Sequence, residues 1–157
     1  MEFPQLSEAT RLKQLQPPTG RVSIVLDTDT YNEIDDQFAV VHALLSPHQI
    51  QVEALYAAPF HNSRSSGPAD GMEKSYDEIL RLLERLDVPS DDFVFRGSTG
   101  YLSSYEQPYR SPAALDLVDR AMNANDEPLY VVAIGAITNV ASAILIEPKI
   151  IERIVVV

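Results

Sequence analysis

The sequence predicts an α/β fold: an open, mainly parallel sheet with helices on both faces, a Rossmann-like core. Three observations predict it. Short β-branched runs alternate with helix-length apolar patterns along most of the chain. The breaks between them carry proline, glycine and small polar residues. The runs are near-continuously apolar, as strands covered on both sides are, and strands alternating with helices imply right-handed βαβ units.

The elements follow in order. Residues 1–20 are polar and close on Gln16-Pro17-Pro18-Thr19-Gly20, which reads as a surface arm with a short helix over Ser7 to Gln14. Residues 21–157 read as the N-terminal part of one α/β domain. Arg21 to Leu26 is the first buried strand. From Asp35 onward Phe38, Ala39, Val41, Ala43, Leu44 and Leu45 fall at helical spacings until Ser46-Pro47 stops them.

Gln51 to Ala58 is a second strand, closed by Pro59. A polar loop from Asn62 to Pro68 leads into a helix over Met72 to Leu86. In that helix Ile79, Leu82, Leu83 and Leu86 form the apolar face, and Glu73, Lys74, Asp77, Glu78 and Arg81 are expected to face water. Asp91 to Phe95 is a short strand, and Tyr101 to Ser111 has no period and reads as a surface loop. Pro112 suits the first turn of a helix running to Met122. Leu129 to Ile134 is a strand, Gly135 turns the chain, and Thr138 to Ile146 is a helix ended by Glu147-Pro148. A turn of helix over Lys149 to Glu152 precedes a strand over Ile154 to Val157, with no loop or helix after it. The chain is therefore expected to be cut rather than finished.

Composition narrows the function. A chain of 157 residues fits one domain with a real core. Its formal charge of −11, from 12 Lys and Arg against 23 Asp and Glu, disfavours a nucleic-acid partner, which needs bases to neutralise phosphates. Cations and neutral small molecules suit it better. The absence of cysteine excludes disulfides, thiolate zinc sites and cysteine nucleophiles, so any metal is held by oxygen or by the three histidines. The first twenty residues hold no apolar signal core, and no run reaches the ~18 apolar residues of a membrane span. No membrane partner and a cytoplasmic location are the expectation.

The strongest local signal is the junction of the first strand and helix. Asp27, Asp29, Glu33, Asp35 and Asp36 crowd the positions directly after an apolar strand. Carboxylates so placed repel one another and resist desolvation, and a cation or ligand relieves both costs. An oxygen-only site suits a hard cation such as Ca²⁺ or Mg²⁺. Asp35 and Asp36 also fall in a first helical turn, where backbone N–H groups favour negative charge, so capping explains one of them but not all five. An EF-hand loop starting at Asp27 fails, because Tyr31, Asn32 and Phe38 stand where a ligand, glycine and glutamate are required.

Two families resemble this stretch. Asp27-Thr28-Asp29-Thr30 after an apolar strand resembles the nucleophile motif of Mg²⁺-dependent haloacid-dehalogenase-type phosphatases, a match of four residues. Asp27-Thr28-Asp29 followed by Asp35-Asp36 and Gln37-Phe38-Ala39 resembles the N-terminal signature of the nucleoside hydrolase family. Asn62 after the second strand agrees, as do the Gly135-Ala136-Ile137-Thr138-Asn139 turn and Ile146-Glu147-Pro148. This second resemblance covers most of residues 21–157 in the right order.

The nucleoside hydrolase resemblance implies Ca²⁺-dependent hydrolysis of the N-glycosidic bond of ribonucleosides to ribose and free base, in nucleoside salvage. It implies that Asp29 is catalytic, as general base, and also holds the metal with Asp36 and the carbonyl of Ile134. Asp35 and Asn62 would bind the sugar, and Asp27 would orient the metal-holding residues. A homodimer or homotetramer fits the resemblance. A non-catalytic sugar- or calcium-binding module is the further alternative. Two departures stand out. Asp29 to Asp35 is two residues longer than the family spacing, so Asn32-Glu33 reads as an insertion without an assigned role. The family's C-terminal half, which adds a His-Asp pair, has no counterpart here.

The remaining polar residues read more simply. His61 is expected to be an ordinary loop histidine, and His42 and His48 structural or exposed. Arg96 is expected in an ion pair, and Asn139 as a cap or brace of the turn before its helix. Tyr101, Tyr105 and Tyr109 either cover the crevice or pack their own loop.

Overall fold

The computed structural model describes residues 3–124 and 127–157, so the first two residues of the expected arm lie outside it. Helix α1 (Glu8–Gln14) begins at Ser7, whose hydroxyl accepts from the Thr10 N–H at 3.1 Å, and none of its residues is buried.

Five strands form one sheet: β1 (Val22–Thr28), β2 (Ile50–Ala57), β3 (Val94–Arg96), β4 (Leu129–Ala133) and β5 (Ile154–Val156). All neighbours are parallel, in the order β3-β2-β1-β4-β5. The chain builds outward from β1 to β3, then crosses back to place β4 on the other side of β1. The switch of direction therefore lies between β1 and β4, the position beyond whose carboxyl ends open α/β sheets bind their ligands.

The helices are α2 (Ile34–Leu44), α3 (Pro68–Arg85), α4 (Pro112–Asn123) and α5 (Thr138–Ile146), with a 3-10 helix over Pro148–Glu152. They divide between the faces by strand alternation. Val25, Tyr56 and Val131 point to α4 and α5, where Leu117, Ala121, Val140 and Ala143 receive them. Leu26, Leu55 and Ala57 point the other way, to Val40 of α2 and Met72, Ile79 and Leu83 of α3. Tyr56 ties its layer by a polar link as well: its hydroxyl donates to Asp116 at 2.7 Å, and Arg120 grips the same carboxylate at 2.6 Å.

The open parallel sheet with helices on both faces is the architecture the sequence predicts; β1 runs two residues past the expected Leu26, to Thr28, and three further details differ. Helix α3 starts at Pro68, not Met72, because proline's fixed φ suits a first helical turn even inside a Gly-rich stretch. Gly71 sits in that turn because a Cβ there would collide with the Phe60 carbonyl. Strand β3 covers Val94–Arg96 rather than 91–95, since Asp92 takes a left-handed φ of 53°, which a strand does not accommodate. On α3, Glu78 is buried rather than solvated and is held by Arg81 Nε at 2.7 Å. The expected ion pair of Arg96 is present, to Glu73 at 2.8 Å.

Candidate functional site

Strand β1 carries its acidic residues out of the hydrophobic layer at the switch point. It is central, so its end is held on both sides. The Ile134 N–H donates to the Asp27 carbonyl at 2.9 Å from the end of β4, and the Ala58 N–H donates to the Thr28 carbonyl at 2.8 Å from the end of β2. Asp27, Thr28, Asp29 and Thr30 are all buried as a result.

Asp36 returns to this point because α2 starts only a few residues later. Its Oδ1 accepts from the Thr28 hydroxyl at 2.6 Å, a bond that joins the end of β1 to the first turn of the helix. Asp29 lies beside it and is held through Oδ2 by the side-chain amide of Asn32 at 3.1 Å. The turn bearing Ile134 packs directly on Asp29: a Cβ at Gly135 would stand 3.0 Å from the Asp29 nitrogen and 3.1 Å from its Cγ. Glycine is required there by closeness.

Asn139 supports the arrangement from below. It is fully buried, and its amide donates to Asp27 Oδ1 at 2.8 Å and to the Ala57 carbonyl at 3.2 Å. Its oxygen accepts from the Ser98 N–H at 2.7 Å and the Ser98 hydroxyl at 2.8 Å. One side chain thus ties β1, β2 and the segment after β3. It braces as expected but does not cap α5, whose N-cap position is Ile137. Gly97 leaves the space it needs, since a Cβ there would meet the Ala57 carbonyl and the Asn139 amide.

The electrostatics follow from burial. Loss of water pushes the Asp27 carboxyl up to about 7, with the charge of Asp29 adding to the effect and the Asn139 bond opposing it. Burial, then the neighbouring Asp36, pushes Asp29 up to about 6. Asp36 is also raised, first by burial, with Thr28 working against the shift and Asp35 and Glu33 with it. Asp27 Oδ2 and Thr30 Oγ1 are buried with no hydrogen-bond partner among the described residues.

These residues fit a hard cation as part of its shell. Ca²⁺ takes about six to eight oxygens. Asp29 and Asp36 carry carboxylate oxygens, Ile134 leads into the turn against Asp29, and the group contains no sulfur or imidazole. Among the described residues no group of three or more acidic or histidine side chains is placed to hold a metal, so the set is not a closed cage.

The expected site residues thus separate into two groups. Asp27, Asp29, Asp36 and the Ile134 turn come together. Asp35 is exposed on α2, and Asn62 is exposed on the facing loop, with its oxygen accepting the Arg64 N–H at 2.8 Å. Among the described residues, Asn62 reaches the cluster through Asn32, to whose oxygen it donates at 2.6 Å. His42, His48 and His61 are exposed. Tyr101 and Tyr105 are exposed, while Tyr109 packs toward Gly100. Thr28 carries a contact that residue type and spacing did not single out, and Asn32, marked by the spacing as part of an insertion, makes one to Asp29.

The fold is an open parallel α/β sheet of the kind nucleoside hydrolase-like domains have, with an acidic cluster at the end of its central strand. Residues 21–150 match the family described as the cellulose-binding Sde182, nucleoside hydrolase-like domain, and the chain belongs to that family. It is also similar to the non-specific ribonucleoside hydrolase RihC of Salmonella agona (strain SL483), 28% identical over 142 residues. RihC of Salmonella enteritidis PT4 (strain P125109) matches at the same 28%, and so does that of Salmonella paratyphi A (strain ATCC 9150 / SARB42). The Salmonella agona match covers 83% of this chain and 45% of the relative, so the chain spans less than half the length of the curated relatives it matches.

Proposed function

We propose that this protein hydrolyses the N-glycosidic bond of ribonucleosides, releasing ribose and free base, with Ca²⁺ as cofactor. The observation that carries the reading is the buried group of Asp27, Asp29 and Asp36 where the central strand meets α2, with Thr28 bonded to Asp36 and the Gly135 turn against Asp29. Membership of a nucleoside hydrolase-like family and similarity to ribonucleoside hydrolases support it.

Asp29, Asp36 and the Ile134 carbonyl would hold the ion. When bound, it supplies a Lewis acid that orients sugar hydroxyls and acidifies water. Asp29 would act as the base that takes a proton from the attacking water. Asp35 and Asn62 would hold ribose hydroxyls. Bond cleavage leaves positive charge on the sugar, and a wall of carboxylates stabilises it. A homodimeric or homotetrameric enzyme of cytoplasmic nucleoside salvage belongs to the same reading. Among the described residues no helix is long and apolar enough to cross a membrane.

The test is incubation of the purified protein with a panel of ribonucleosides and Ca²⁺, reading free base by chromatography. Base release that Asp29→Asn lowers by at least about a hundredfold is expected. Phosphate release from a generic ester without free base would overturn the reading in favour of a phosphatase. A carbohydrate-binding module without catalysis is a second reading, supported by the family's description as cellulose-binding. Retention on cellulose with no base released from any nucleoside would favour it.

A further inference from the structure

Asn32 lies in the stretch that the family spacing does not account for, and its side chain faces two ways. Its amide nitrogen donates to Asp29 Oδ2 at 3.1 Å, and its amide oxygen accepts from Asn62 Nδ2 at 2.6 Å. A side-chain amide has distinct donor and acceptor ends, and here each is committed. The orientation is fixed by the neighbours. Reversal would set the Asn32 oxygen against the Asp29 carboxylate and its NH₂ against the NH₂ of Asn62. The backbone anchors the same residue, as the Asn32 N–H donates to the Asp29 carbonyl at 2.6 Å.

The loops on either side are clamped together. The Tyr31 and Phe60 rings stack with centroids 6.5 Å apart, and Arg64 Nη1 reaches the Tyr31 carbonyl at 3.5 Å. Lys74 of α3 then donates to the Arg64 carbonyl at 2.8 Å. The loop after β1 and the loop after β2 thus form one unit. Among the described residues, Asn32 is the residue with side-chain hydrogen bonds to both Asp29 and Asn62.

We propose that Asn32 is a positioning residue that couples Asp29 to Asn62 through its side-chain amide, setting the carboxylate and the sugar-binding loop as a single element. The functional half of this inference rests on the proposed nucleoside hydrolase reading. Its physical basis is that supporting hydrogen bonds orient the groups that do chemistry, and losing one typically costs about 10–100-fold in metal affinity or activity.

Four proteins test it: unsubstituted, Asn32→Ala, Asn62→Ala and the double variant, with Asn32→Asp as a separating change. Asn32→Ala is expected to weaken Ca²⁺ binding in calorimetry by about tenfold, and to lower kcat and raise KM together. Asn32→Asp keeps the acceptor for Asn62 but replaces the donor to Asp29 with a second, repelling carboxylate oxygen, so KM stays within about threefold while kcat falls by at least about tenfold. A merely structural role would lower stability and leave that split absent. Ca²⁺ affinity and both kinetic constants within about twofold for Asn32→Ala would overturn the functional role.

Unfolding separates this outcome from failure of the enzymatic reading. If the unsubstituted protein binds no Ca²⁺ and releases no base, that reading fails, and the double-mutant cycle in denaturant decides the coupling alone. Coupling predicts that the double variant shifts the unfolding constant by at least about threefold less than the product of the single shifts. A shift equal to the product would overturn it.

Discussion

The Asn139 amide donates to Asp27 Oδ1 at 2.8 Å, and both side chains are completely shielded from solvent. The bond joins α5 to the central strand, and the same side chain satisfies Ser98 and Ala57. Replacing Asn139 leaves a buried carboxyl and a buried N–H without partners. Asn139→Ala is expected to destabilise the protein by about 3–5 kcal/mol, far beyond a surface asparagine. Chemical denaturation followed by circular dichroism checks this, and a loss below about 1 kcal/mol would mean that the network relaxes around the gap.

Stability should depend on pH in a direction set by the raised carboxyls. Asp27, at about 7 in the fold and at 3.8 as the ordinary value, keeps its proton over a range in which the unfolded chain has lost it. The native state then binds more protons than the unfolded state, so stability falls as pH rises. Asp29 acts in the same direction up to about 6, and Asp36 likewise. Without divalent cations, thermal stability is expected to be fullest near pH 4 and to decline toward pH 7. Asp70, lowered by Lys74, opposes this weakly from the surface. Asp27→Asn should flatten the decline, and Ca²⁺ should reduce it by compensating the charges of Asp29 and Asp36. A profile rising from pH 4 to 7 in chelator would contradict the assignment.

Two glycines separate folding from the site. A Cβ at Gly97 would strike the Ala57 carbonyl and the Asn139 amide, both fixed by other bonds, so Gly97→Ala should cost about 1–3 kcal/mol or more. A Cβ at Gly135 would stand 3.0 Å from the Asp29 nitrogen and 3.1 Å from its Cγ, a tight fit that a displacement of a few tenths of an ångström at Asp29 relieves. Gly135→Ala is therefore expected to lower Ca²⁺ affinity about tenfold, with the melting temperature changed by only a few degrees. Calorimetry and thermal unfolding on the two variants check the separation. Equal loss of stability in both would refute it.

The sheet was legible because its signals are local. Arg21 to Leu26 and Leu129 to Ile134 are apolar and bounded by turn residues, and Pro47, Pro112 and Pro148 punctuate the helices at the expected places. The departures are also local but conditional: Pro68 both breaks and begins structure, and only the packing of Gly71 on Phe60 decides which. Much of the acidic site was legible for the same reason, since five carboxylates after a buried strand demand an explanation from sequence alone. The distant partners of Asn32 and Asn139 were not legible. They stand 30, 41, 82 and 112 residues away, and no period or propensity reports such distances.

The strand order also sets a timetable for synthesis. β1 ends at Thr28, and its neighbour β4 is complete only at Ala133. At about 5–20 residues per second the ribosome needs roughly 5–20 s to make the intervening chain. Until then β1 has one open edge, and its acidic end lacks the Asn139 bond. An unpaired apolar edge invites pairing with other chains, and the repelling charges at its tip discourage that pairing. The carboxylates that burden the finished fold would thus protect the growing one.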